Sequence, residues 1–67
     1  MTLFAYSTPD GLVKMSLRGN PGYPVDQIAQ AFGGGGHALA AGITFREGTL
    51  LENMDKVIRM METQFRQ

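Results

Sequence analysis

The alternation of apolar and polar residues near the start of the chain predicts a β-hairpin. The segment "LVKMSLRG" alternates apolar residues with a polar set that consists of Lys14, Ser16 and Arg18. Residues 3–8 are rich in aromatic and strand-compatible types, and the Pro-Asp-Gly sequence at 9–11 supplies a turn. Because side chains in a strand point to opposite faces with a period of two, we expect the polar set to share one face of a sheet.

Two later segments have the periodicity of amphipathic helices. The first has apolar residues at the spacing i, i+3, i+4 and i+7, in Val25, Ile28, Ala29 and Phe32. Gly33 stands where a C-terminal glycine is expected. The second helix begins after Thr49, which forms a T-x-x-E capping box with Glu52. Its predicted buried face consists of Leu50, Met54, Val57, Ile58, Met61 and Phe65.

The order of these elements predicts the fold class. Residues 19–24, with two prolines and two glycines, predict a loop, and "AAGITF" predicts a third strand centred on residues 43–45. The order is therefore β-β-α-β-α. We expect a single α+β domain over residues 1–67, with its helices packed on one face of a small sheet.

Length and composition narrow the function classes. A chain of 67 residues buries only about 60% of its unfolded surface, so stability is expected to depend on a tight core, oligomerisation or a neighbouring domain. There is no cysteine, which excludes disulfides and thiolate metal sites. Net charge is zero, without the basic stripe of proteins that bind long nucleic acids. No apolar run could span a membrane and no signal peptide is evident, so a cytoplasmic location is the default expectation.

A run of four glycines followed by the one histidine is the main candidate for chemistry. Gly33, Gly34, Gly35 and Gly36 present backbone N–H groups without side chains, which can form a concave anion site, and His37 can add a hydrogen bond or a charge. A helix stop followed by a close backbone crossing explains the glycines equally well. A dinucleotide fingerprint is excluded because the run follows a predicted helix, and a P-loop because no lysine ends it.

The motif also resembles that of a known family, and this resemblance is more specific than the physical arguments above. "FGGGGHALAAG" is similar to the G-G-G-H-x-x-A-A-G signature of the DHHA1 domain, the C-terminal substrate-binding lobe of DHH-family phosphoesterases. "VKMSLRG" resembles the strand with a Ser-x-Arg element, and "PVDQIAQAFGGGGH" resembles the helix before the glycines. The resemblance covers roughly residues 12–46, which indicates the C-terminal part of such a domain. It is closest to enzymes that cleave short oligoribonucleotides and 3′-phosphoadenosine 5′-phosphate, together with cyclic-dinucleotide phosphodiesterases.

The resemblance implies roles for particular residues. The backbone of the glycine run would pack against the substrate, and His37 would contact a substrate phosphate. Arg18 would approach the terminal phosphate or the base, with Ser16 on the same face. Arginine is suited to this role because its planar guanidinium can donate two parallel hydrogen bonds to a phosphate.

The chain also departs from the family. The catalytic lobe of DHH phosphoesterases holds two divalent metals, usually manganese, on aspartates and histidines that include an Asp-His-His motif. This chain has one histidine and no aspartate beside it, so we assign no catalytic residue and no cofactor to it. We expect it to bind nucleotide phosphates or short RNA without hydrolysing them alone, while a manganese-dependent catalytic lobe would supply the reaction.

Two other functions remain open at this point. A related domain ends alanyl-tRNA synthetases and contacts tRNA, so the chain could be a stand-alone RNA-binding module. Zero net charge disfavours that alternative, because contacts along a long RNA need a basic surface. A structural, self-associating domain is the third reading. A homodimer is compatible with all three, since a small sheet has edges to cover.

Overall fold

A computed structural model describes residues 2–65 of the chain as a four-stranded antiparallel sheet with two helices. The strand order is β1-β2-β4-β3, so β2 and β4 are central. The predicted α+β class is confirmed, but the observed order is β-β-α-β-β-α because the glycine run contains a short additional strand, β3. The elements are β1 (Thr2–Ser7), β2 (Val13–Arg18), α1 (Asp26–Ala31), β3 (Gly35–His37), β4 (Ala40–Phe45) and α2 (Leu50–Gln64).

The hairpin of β1 and β2 has the predicted turn. Gly11 closes the turn with a φ of 86°, and its N–H donates to the Thr8 carbonyl at 3.1 Å. Along β2 the buried and exposed positions alternate without exception, as a half-buried strand requires. The apolar set of β2 therefore forms the centre of the core, and the polar set lies on the other face.

Both helices cover the same face of the sheet. Ile28 and Ala29 of α1 and Val57 and Met61 of α2 are buried against the apolar side chains of β2 and β4. The buried core consists of Val13, Met15, Leu17, Val25, Ile28, Ala29, Ala41, Ile43, Val57 and Met61. This confirms the predicted packing of the helices on one face.

The buried face of α2 differs from the prediction at two positions. Ile58 is 41% exposed, because it lies at the margin of the apolar stripe rather than on it. Asn53, which is not part of the predicted face, is buried, and its Nδ2 donates to the carbonyls of Glu47 and Thr49 at 2.9 and 3.0 Å. These hydrogen bonds fix the turn before the helix. Hydrophobic periodicity does not predict them, because the residue is polar.

The start of α2 matches the sequence signature. The Thr49 hydroxyl accepts from the Glu52 N–H at 3.1 Å, and the Glu52 carboxylate accepts from the Thr49 N–H at 3.2 Å. The predicted capping box is therefore confirmed. Hydrogen bonds with the side chain and, to a smaller extent, the backbone of Thr49 lower the pKa of the Glu52 carboxyl below its ordinary value.

Within residues 2–65, neither helix combines the length and apolar character that a membrane span requires.

Candidate functional site

The sheet has a second face that no helix covers in the described part of the chain. We call it the open face. Strand pairing arranges its residues in rows, because directly opposed residues of adjacent antiparallel strands point to the same side. The open face consists of Thr2, Phe4, Tyr6, Lys14, Ser16, Arg18, Gly35, His37, Ala40, Gly42 and Thr44. All of these are exposed except Ala40, which is half-buried.

One row brings together two candidate residues that are far apart in the sequence. Arg18 on β2 is opposite Ala40 on β4, and Ala40 is opposite His37 on β3. The backbones of Arg18 and His37 are therefore two strand spacings apart, about 10 Å. Between them the row carries only the small side chain of Ala40.

The next row contains the third candidate side chain and two glycines. Ser16 is opposite Gly42, which is opposite Gly35, and Phe4 flanks Ser16 on β1. The register thus places Ser16 beside Arg18 on the same face, as predicted from its position two residues earlier. The two adjacent glycines leave a patch of bare backbone between Ser16 and the edge of the sheet.

The first two glycines of the run serve the backbone of the chain itself. The Gly33 N–H donates to the Gln30 carbonyl at 3.1 Å, and the Gly34 N–H donates to the Ala29 carbonyl at 2.8 Å. Both donors thus complete the end of α1. A Cβ on Gly34 would overlap the Gly42 carbonyl oxygen and lie 3.0 Å from the Ile43 Cα. Gly34 therefore permits a close crossing of β4.

The last two glycines differ from each other. Gly36 has a φ of 143°, and a Cβ there would lie 2.6 Å from the Ala40 carbonyl oxygen and the Ala41 Cα. Gly35 has no atom within 4 Å of its Cβ position and no positive φ. Gly42, its partner across the strands, meets only the Met15 carbonyl oxygen at 3.6 Å. Packing therefore requires glycine at 34 and 36, but it does not require glycine at 35 or 42.

The open face carries basic side chains and no acidic one. Lys14 and Arg18 lie on it together with the imidazole of His37, whereas the helices on the other side of the sheet carry charges of both signs. An acidic residue near Lys14, Asp10, lies in the hairpin turn. A hydrogen bond from the Thr8 hydroxyl and, to a smaller extent, the Lys14 ammonium lower the pKa of its carboxyl. A chain with zero net charge thus presents a basic surface on one side of its sheet.

The described residues, 2–65, do not form a metal site. Among residues 2–65, no three histidine or acidic side chains lie close enough to hold an ion together. The open face offers one imidazole and no carboxylate, whereas divalent metals in phosphoesterases need several such ligands. We therefore derive no step through a metal within these residues.

Sequence reasoning missed several residues of the open face. Gly42 and Lys14 are not among the predicted site residues, yet both lie exposed on this face. Phe4 and Thr44 carry no signal in the sequence either. Arg18 lies on a central strand, because β2 has β1 on one side and β4 on the other. These residues come together on one face through the pairing of β2 with β4, which the sequence patterns do not predict.

Comparison with known proteins agrees with the motif. No curated protein matches the chain. The family model described as the DHHA1 domain matches residues 1–67, which extends beyond the stretch that carries the signature on both sides. DHHA1 domains are associated with DHH phosphoesterases. On this match the chain belongs to the DHHA1 domain family.

Proposed function

We propose that the open face binds the phosphate groups of nucleotides or short oligoribonucleotides, as the substrate-binding part of a DHH-type phosphoesterase. The observation that carries this proposal is the row formed by Arg18, Ala40 and His37. It combines a guanidinium and an imidazole on either side of a small residue, on a face without acidic side chains. Phosphate oxygens accept hydrogen bonds from both kinds of donor, and a guanidinium can donate two in parallel.

The bare patch at Gly35 and Gly42 supports the same proposal. Neither position needs glycine for packing, since a Cβ would meet no closer atom than one at 3.6 Å. A missing side chain beside a basic row lets a ligand approach the strand backbone closely. The glycine run would therefore have two roles, one in the fold and one in ligand binding. Gly33, Gly34 and Gly36 shape the backbone, and Gly35 gives the ligand access.

Binding and hydrolysis are separate in this account. No described residue of the open face offers a carboxylate to hold a metal or to act as a general base. We propose that a DHH catalytic lobe with two divalent metals, of which manganese is the usual one, supplies the reaction. The present chain would position the phosphate of the substrate for that lobe.

The experiment that tests this function is a calorimetric titration of the chain with 3′-phosphoadenosine 5′-phosphate and with a short oligoribonucleotide. His37→Ala is expected to lower the affinity for both ligands by about 5- to 10-fold, which corresponds to about 1–1.4 kcal/mol for the loss of one ordinary hydrogen bond at an exposed position. His37 is exposed, so the variant should remain folded. Equal affinities for the variant and the unmodified chain would exclude His37 as a phosphate contact.

A further inference from the structure

A cavity of about 210 Å³ lies on the open face, away from the row of Arg18 and His37. Its walls include the side chains of Tyr6, Lys14, Ser16 and Thr44, and Gly42 forms part of its floor. Met15 and Ile43 also line it, but their side chains are buried on the other face, so they contribute backbone. The absence of a side chain at Gly42 is what opens this space.

The cavity lies beside two exposed aromatic rings. Phe4 is 63% exposed and Tyr6 is 57% exposed, and they are two residues apart on the edge strand β1. The aromatic pairs of the described residues join Tyr23 with Phe65 and Phe32 with Phe45, so neither β1 ring stacks within the chain. Their π-faces are therefore available to a planar ligand.

The polar groups around the cavity are also available. Within residues 2–65, the Lys14 ammonium and the hydroxyls of Ser16 and Thr44 make no hydrogen bond or ion pair with other side chains or with the backbone. An ammonium offers donors only, whereas a hydroxyl both donates and accepts. Together with an aromatic face, these groups match the flat surface and polar edge of a nucleobase.

We propose that this cavity is a nucleobase subsite, in which Tyr6 stacks on the base and Lys14 and Thr44 hydrogen-bond its edge. Stacking on an exposed aromatic ring accepts every base, while the two polar groups favour bases with acceptors at that edge. An aliphatic or purely anionic ligand would leave either the ring or the hydroxyls unused. The inference rests on the proposed function, because the phosphate row is what gives the ligand a second anchor.

The positions of the two subsites agree with one extended ligand. Tyr6, Lys14 and Thr44 form one row, and Arg18 with His37 belongs to a row four residues away along the strands. At about 3.4 Å per residue the rows are about 14 Å apart. The row of Ser16 and the two glycines lies between them and carries no bulky side chain. A sugar–phosphate backbone can therefore cross this row from the basic end to the cavity.

The test compares three ligands that separate base from phosphate. Ribose 5-phosphate carries no base, adenosine carries no phosphate, and 5′-phosphorylated diadenylate carries both. Titrations of the full chain followed by NMR are expected to give diadenylate at least about fivefold higher affinity than ribose 5-phosphate. Tyr6→Leu should remove that advantage and leave the affinity for ribose 5-phosphate unchanged. Thr44→Val, which keeps the side-chain shape, should weaken diadenylate binding by a smaller factor.

Tyr23→Leu is the matched control, since Tyr23 lies outside the open face and should not alter the diadenylate affinity. The base subsite is wrong if diadenylate binds Tyr6→Leu as tightly as the unmodified chain, while the phosphate site still responds to ribose 5-phosphate. Conversely, adenosine shifts at Tyr6 and Thr44 without any response of Arg18 to ribose 5-phosphate would support the base subsite and exclude the proposed phosphate function.

Discussion

Gly34→Ala is expected to destabilise the fold severely. The new Cβ would overlap the backbone carbonyl of Gly42, and strand backbone cannot move aside without breaking the pairing of β3 with β4. Overlap with backbone belongs to the severe class of mutations, about 3 kcal/mol or more. A domain of this size has little stability to lose, so urea unfolding should show the variant largely unfolded.

The matched control is the same substitution one position later. Gly35→Ala adds a Cβ with no atom within 4 Å, at an exposed position without a positive φ. Its free energy of unfolding should differ from that of the unmodified chain by no more than about 0.5 kcal/mol. Equal destabilisation by both substitutions would contradict the close crossing of Gly34 over β4.

Arg18→Gln is expected to cause the largest loss of nucleotide affinity. The substitution keeps a polar side chain at an exposed strand position but removes the positive charge and the paired donors of the guanidinium. Hydrogen bonds to charged groups contribute about 1.5–3 kcal/mol, so affinity for 3′-phosphoadenosine 5′-phosphate should fall about 10- to 100-fold. Calorimetry measures this loss directly, and the thermal stability of the variant should remain unchanged.

Lys56→Gln separates a specific contact from a general effect of charge. Lys56 is an exposed residue of α2, on the layer that covers the opposite face of the sheet, and its replacement changes net charge by the same amount. Its affinity for the nucleotide should stay within about twofold of the unmodified chain, because screening weakens charges beyond about 8–10 Å. If Lys56→Gln weakens binding as much as Arg18→Gln, the open face is not the binding surface.

Most of the fold could be predicted from local patterns. The alternation along β2, the periodicity of the first helix and the capping box at Thr49 each depend on neighbours a few residues apart, and each is confirmed. Strand β3 was missed because it consists of Gly35, Gly36 and His37, residues without strand propensity. Tertiary pairing with β4 creates this strand, and propensity cannot show it.

The candidate site was predictable only in part, for the same reason. The motif and its resemblance to a known family predict Ser16, Arg18, the glycines and His37 as site residues. That Arg18, Ala40 and His37 share a row follows only from the strand register. The different roles of Gly34 and Gly35 depend on what lies beyond each missing side chain, which only the structure reveals. The features that the sequence does not predict are therefore those that depend on pairing between distant segments.

Nucleotide binding at the open face is tested most directly by a map of amide chemical shifts as the ¹⁵N-labelled chain is titrated with 5′-phosphorylated diadenylate. We expect Ser16, Arg18, Gly35, His37 and Gly42 to shift together with one dissociation constant. Residues of the covered face, such as Ile28 and Val57, should shift little. Saturable shifts centred on the helices, or no shifts in a folded sample at millimolar ligand, would contradict the claim that the open face of this chain binds nucleotides.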